Sequence, residues 1–237
     1  MLRRLLRHNG VNDSAPLDEV RFVSLDLETS GLNPKRNGIL SIGAVEVARG
    51  EVKLSNYFYA LVKPEGEFDE RSALIHGLRP AELLDKPSFN EVYPKLAGFL
   101  KGAVLVGYNI SFDVAFINEM LRKHGKPHLR LEHLDVLSLS YGVLLKAGMD
   151  TAVLKMDYRI LTGRMGLEYL AELLSTPVIR RHTSLGDALT VALMLLKLLS
   201  LAKLLGAKTL RDLKDLARLG ERRAKQISSL TVLSGGF

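Results

Sequence analysis

The sequence contains no cysteine. A disulfide framework, a thiolate metal site and a cysteine nucleophile are therefore excluded, and any metal must be held by oxygen or imidazole. The opening MLRRLLRHNG is basic and partly apolar, but it has neither the continuous apolar core nor the small-residue cleavage site of a signal peptide. An intracellular, cytoplasmic protein is the expectation. No internal repeat, low-complexity block or domain linker stands out. Long hydrophobic runs are scarce: only ALTVALMLLKLLSLAKLLGA, residues 188–207, approaches the roughly 20 residues that a bilayer needs. Lys197 and Lys203 interrupt it and Asp187 precedes it, so it reads as a helix packed into a core, and no membrane partner is expected.

The 237 residues, 47% hydrophobic and 25% charged, suffice for one large core or a core with a small appendage. The formal net charge is +7 and the pI is near 9.6. That balance favours a polyanionic partner such as nucleic acid, yet it also fits an ordinary solvated basic surface, and charge alone does not separate the two.

The pattern along the chain predicts a helical extension over residues 1–19, a principal domain over 20–205 and a helical tail over 206–237. Residues 20–28 alternate as a strand does, and ILSIGAVEVARGEVKLSNYFYALVKP supplies two more strands about a turn at Arg49 and Gly50. Ser88, with Glu91 in capping-box position, opens a helix through FNEVYPKLAGFL that Pro94 would kink. AVLVGYN is a short buried strand, and SFDVAFINEMLRKHG a helix capped by Ser111 and ended by Gly125. A long helix runs from Thr183 or Ser184 to about Gly206, and Thr209 with Asp212 caps a mixed-charge helix that follows. A meander followed by alternating elements implies a mixed sheet with helices packed on it, an α/β architecture.

Within the first strand, VSLDLETSGL places Asp26 and Glu28 two residues apart and so on one side, with Val23, Leu25 and Leu27 on the other. Two close carboxylates repel unless a proton or a cation intervenes, and a hard divalent metal answers this economically. A lone D-x-E can equally be an edge-strand pair facing water. Asp113 follows the strand AVLVGYN near a sheet end, where open α/β sites form, although alone it reads as a first-turn helix acid. In RRHTSLGDAL, His182 and Asp187 flank a helix start; singly they read as a loop histidine and another first-turn acid.

Together these residues resemble the DEDDh, DnaQ-like family of 3′ to 5′ exonucleases, the group that contains the proofreading epsilon subunit of bacterial DNA polymerase III. FVSLDLETSGLNP matches the first family motif, LVGYNISFDVAFINEML the second and RHTSLGDALTVALMLL the third, in the family's order. The histidine and its spacing to Asp187 mark the DEDDh subclass, whose sister group has a tyrosine in that role. IHGL, residues 75–78, resembles a His-Gly segment often found in the family, and Ser30 stands where many relatives have a second threonine.

The resemblance implies a ribonuclease-H-like fold with a mixed five-stranded sheet, the first three strands antiparallel. It implies two divalent cations, Mg²⁺ or Mn²⁺, held by Asp26, Glu28, Asp113 and Asp187. Asp26 would bridge the ions, Glu28 and Asp187 would hold the ion beside the attacking water, and Asp113 would help to hold the second through water. His182 would accept the water's proton, a role suited to imidazole with its free pKa near about 6.5. On the substrate side it implies Thr29, Gly31, Leu32, His76, Asn109 and Phe112, with Phe112 able to stack or wedge against a base. Leu32 and Phe112 also read as core residues, and Thr29 and Asn109 as turn or capping groups. A substrate-contacting acid is common near Asp135 in the family. The expected substrate is a single-stranded or frayed DNA 3′ end, with RNA the alternative, and any proofreading would need a polymerase in trans. A noncatalytic, polymerase-associated nucleic-acid-binding module is the competing class. Residues 142–165 exceed what the compact family needs and could form a lid, a dimer contact or a hairpin.

Overall fold

The computed structural model describes residues 11–149 and 166–234, with side chains through residue 225. Three strands come first: β1 (Phe22–Thr29), β2 (Ile39–Ala48) and β3 (Glu51–Leu61). They form the expected antiparallel meander, and Arg49 and Gly50 turn between β2 and β3 with φ of 55° and 74°. Helices α1 (Glu70–His76) and α2 (Phe89–Leu100) follow, then β4 (Val104–Gly107), α3 (Ile110–Lys123), β5 (His133–Asp135) and α4 (Val136–Lys146). Beyond the undescribed segment come α5 (Leu167–Leu173), α6 (Ser184–Leu204) and α7 (Leu210–Ser234). β4 and β5 add in parallel, giving the order β3-β2-β1-β4-β5. This is the mixed, ribonuclease-H-like sheet that the motifs imply.

The alternation of β1 divides the core. Val23, Leu25 and Leu27 bury against α2 and α3, in a cluster with Phe89, Tyr93, Leu96, Phe116 and Met120. On the other face, Phe22, Val45, Val47, Val104 and Val106 pack with α4 to α7. The apolar run at 188–207 is therefore a core helix: α6 buries Val191, Met194, Leu195 and Leu198. Lys197 is exposed, and Lys203 pairs with Asp18.

The capping boxes at Ser88–Glu91 and Thr209–Asp212 both form, and α2 continues through Pro94. Two expectations are corrected. Ser111 does not cap α3; the cap lies two residues earlier, at Asn109 with φ 55°, a left-handed conformation that Asn tolerates. Nor is residue range 11–19 helical. It forms turns around Asn12, Asp13 and Ser14, while Pro16, which lacks an N–H, makes a bridge with Thr209. Residues 1–10 lie outside the described residues, as does the 150–165 part of the segment with no assigned role.

The expected tail is integrated with the domain. Leu210, Leu213 and Leu216 of α7 share the buried cluster of the strands, and Lys214 reaches Asp13 at 3.0 Å and Glu132 at 2.8 Å.

Candidate active site

Asp26 and Glu28 leave β1 on the face that α6 covers. Across the ladder, Asp26 pairs with Gly43 and Glu28 with Ser41. Glycine in a strand interior often marks a close backbone approach, and here a Cβ on Gly43 would lie 2.3 Å from the Leu185 nitrogen. Ser41 accordingly meets Ser184, hydroxyl to hydroxyl, at 2.9 Å. The first turn of α6 is thereby set down on β2, and Asp187, within that turn, reaches the β1 acids. Ligand oxygens of Asp26, Glu28 and Asp187 all lie within 4.8 Å of one another. Asp113 approaches from α3, where its Oδ1 accepts the Leu27 amide at 3.0 Å. It stands beside these three acids rather than among their converging oxygens.

The electrostatics follow from that crowding. Burial first, then Asp113, Asp187 and Glu28, raise Asp26 well above the carboxylate range, with Arg181 opposing. Glu28 is pushed up to about 7 by burial and then by Asp187. Burial also raises Asp113, against its hydrogen bonds with backbone amides, and Asp187, against the Arg181 guanidinium. Asp187 Oδ1 is buried without a hydrogen-bond partner. An all-oxygen cluster with mutual repulsion and an orphaned buried lone pair fits a hard divalent cation.

His182 sits in a bent loop. Arg180 and His182 have φ of 36° and 59°, and Gly186 admits the loop because a Cβ there would fall 2.4 Å from the Arg180 carbonyl oxygen. Non-glycine residues in this region store strain that a functional loop can hold. The His182 amide donates to Asp187 Oδ2 at 3.2 Å, tying the histidine's position to the acid.

The substrate-side residues divide. Thr29 is buried and its hydroxyl donates to the Gly31 carbonyl at 2.8 Å, so it shapes the turn. Gly31 has φ 154° and abuts the Asn37 side chain, and Leu32 is 84% exposed, which excludes a core role. His76 ends α1. Its Nδ1 accepts the Leu78 amide, and burial lowers its pKa, opposed by a hydrogen bond with the Thr29 backbone and reinforced by the nearby His182. Asn109 is exposed at the start of α3. Phe112 packs on Phe116, ring centroids 4.8 Å apart, at the margin of the core. Asp135 is bound up in structure: its oxygens accept the Ser138 amide at 3.0 Å and the Ile110 amide at 3.2 Å, joining the N-termini of α4 and α3.

Residues 23–195 match the exonuclease family RNase_T. The chain belongs to this family. That agrees with the DEDDh, DnaQ-like resemblance carried by the three motifs. This exonuclease domain is 33% identical over 195 residues to a DNA polymerase III subunit epsilon-like protein of Rhodobacter capsulatus, covering 82% of the chain and 26% of that relative. It is 27% identical over 207 residues to the PolC-type DNA polymerase III of Thermotoga maritima, covering 87% of the chain but only 14% of the polymerase. Among solved structures, Exonuclease X in complex with 5′ overhanging duplex DNA matches with a TM-score of 0.57 and 22% identity, over 84% of this chain and 99% of that one. Cell-death related nuclease 4 matches with a TM-score of 0.62 and 14% identity, over 77% and 64% of the respective chains. These likenesses establish the fold.

Several residues that build the candidate site carry little signal in the sequence. Gly43 carried a signal, a glycine in the middle of an apolar strand. Arg181, next to His182 in the sequence, pairs with both Asp187 and Glu168. Ser30 and Asn37 brace the loop that carries Leu32: the Ser30 hydroxyl donates to the Glu67 carbonyl at 2.6 Å, and the Asn37 amide to the Ser30 carbonyl at 3.2 Å. Glu67 lies 30 residues beyond Asn37 in sequence, so no local pattern reveals that bracing.

Proposed function

We propose that this domain is a metal-dependent 3′ to 5′ exonuclease that hydrolyses phosphodiester bonds at single-stranded or frayed DNA ends. The observation that carries the reading is the convergence of Asp26, Glu28 and Asp187, together with the buried Asp187 Oδ1, which has no hydrogen-bond partner among the described residues. A pair of divalent cations, Mg²⁺ or Mn²⁺, held by Asp26, Glu28, Asp187 and, more distantly, Asp113, would supply charge neutralisation for attack and departure. The chain's own part is to bring those acids together, to orient the terminal phosphodiester and to move one proton. His182 accepts the proton of the attacking water, and its strained loop, bonded to Asp187, holds the imidazole beside the acids. Leu32, on its braced loop, and Phe112, at the mouth of α3, offer apolar contact to the terminal base. His76 lines the same side, next to Thr29 and His182.

Epsilon-like and PolC-type relatives favour a polymerase as a partner and DNA over RNA as substrate. A panel of 3′-labelled and 5′-labelled DNA and RNA oligonucleotides, with and without Mg²⁺ or Mn²⁺, tests the reading. Metal-dependent mononucleotide release from DNA 3′ ends, abolished in Asp26→Ala, is expected. Persistence of cleavage in Asp26→Ala would remove the four acids from the mechanism, and no shortening of any oligonucleotide would leave the noncatalytic module.

A further inference from the structure

We propose that Arg181 is an internal counter-ion of the metal-free acid cluster and competes with divalent cations at Asp187, so that it sets the metal concentration at which the site fills. The inference rests on the metal-dependent reading above. Arg181 Nη1 donates to Asp187 Oδ2 and Nε to Glu168 Oε1, each at 2.5 Å. The Asp187 side chain is 7% exposed, that of Arg181 22% and that of Glu168 51%, so the guanidinium spans from the buried cluster to solvent. Among the described residues, no other lysine or arginine forms an ion pair with Asp26, Glu28, Asp113 or Asp187.

The contact is built by the backbone. Arg181 lies between two residues with positive φ, Arg180 and His182, in the loop that Gly186 allows to fold over the first turn of α6. That places the guanidinium against Asp187, at the edge of the acid cluster. A divalent cation seated among Asp26, Glu28 and Asp187 would lie within a few ångströms of it, and like charges at that distance repel strongly in a partly buried site. Asp187 Oδ1 is free to bind, while Oδ2 is held by Arg181 and the His182 amide. Glu168 supplies the release: a guanidinium leaving Asp187 keeps its second carboxylate and remains paired.

Calorimetric titration of the full chain with Mn²⁺ alone, together with melting of the metal-free protein, tests this without reference to turnover. Arg181→Met should bind Mn²⁺ about tenfold tighter or more, the scale of removing one nearby positive charge, while its metal-free form melts at lower temperature than the unaltered chain. Glu168→Gln, which leaves Asp187 as the only acidic partner of Arg181 among the described residues, should bind Mn²⁺ more weakly. Unchanged or weaker binding by Arg181→Met, in protein with an unaltered circular dichroism spectrum, overturns the proposal and makes Arg181 a positioning residue for Asp187. Should Arg181→Met not fold, Glu168→Gln decides alone, and unchanged or tighter binding overturns it. An unaltered chain that binds no Mn²⁺ overturns the metal-dependent reading and this inference with it; normal binding with no shift in the variants overturns this inference alone.

Discussion

Gly43 lies directly across the β1–β2 ladder from Asp26, and a Cβ at Gly43 would fall 2.3 Å from the backbone of α6 at Ser184 and Leu185. The missing side chain is thus what lets the third family motif close onto the first. Asp187 meets Asp26 and Glu28 because a helix backbone sits where a side chain would otherwise stand.

Gly43→Ala should therefore lift the start of α6. Overpacking of this kind costs about 1–3 kcal/mol, and the displacement separates Asp187 from its partners. Urea unfolding and Mn²⁺ titration should both worsen relative to the unaltered chain. A variant as stable as the parent, with the same Mn²⁺ affinity, would show that strand and helix do not meet this closely.

The acids also fix a pH dependence. Folded Glu28 keeps its proton up to about 7, against an ordinary value of 4.5. Between those values the folded state binds more protons than the unfolded one, so this contribution to stability is full below about 4.5 and is lost as pH rises through about 7. Metal-free protein should melt lower near pH 8 than near pH 5, and the difference should shrink in Glu28→Gln. Added Mg²⁺ should restore stability mainly at the higher pH, because binding must displace that proton. Equal pH responses of the parent and Glu28→Gln would remove Glu28 as the source.

His182→Ala should leave Mn²⁺ affinity within a few-fold of the parent, because only the backbone amide of residue 182 bonds Asp187. Loss of a positioned base typically costs about 10²–10⁴ in rate. Single-turnover cleavage of a labelled oligonucleotide at saturating Mg²⁺ measures it. Near-parental turnover would withdraw the proton-accepting role.

Much of this arrangement was legible because it is local. The two-residue period of β1 aimed Asp26 and Glu28 together, and the capping signals at Ser88, Thr183 and Thr209 gave helix starts that the structure keeps. The start of α3 was misread because a left-handed Asn109, not the side chain of Ser111, turns the chain into the helix. What the sequence hid was contact across long separations: Ser41 with Ser184, Arg181 with Glu168, and Glu67 beneath the Leu32 loop. Such pairs depend on which backbones touch, and neither period nor composition encodes that. The structural role of Asp135 is similar, since its two amide partners belong to helices separated by a strand.

The last helix shows the same dependence on backbone contact and gives a sharp contrast between glycines. A Cβ on Gly142 in α4 would lie 1.7 Å from the Leu216 carbonyl oxygen of α7, and one on Gly220 would lie 2.0 Å from the Ser138 carbonyl oxygen. The two helices thus cross with their backbones in contact, and alanine at either position must push α7 outward. Gly142→Ala should cost about 1–3 kcal/mol and loosen Lys214 from Asp13 and Glu132. Gly98, inside α2, has nothing within 4 Å of a Cβ, so Gly98→Ala should stabilise by roughly 0.4–1 kcal/mol through the unfolded chain. Opposite signs in urea unfolding would attribute the Gly142 effect to the helix crossing. Equal signs would mean that α7 can shift freely, and that its packing adds little to holding the domain together.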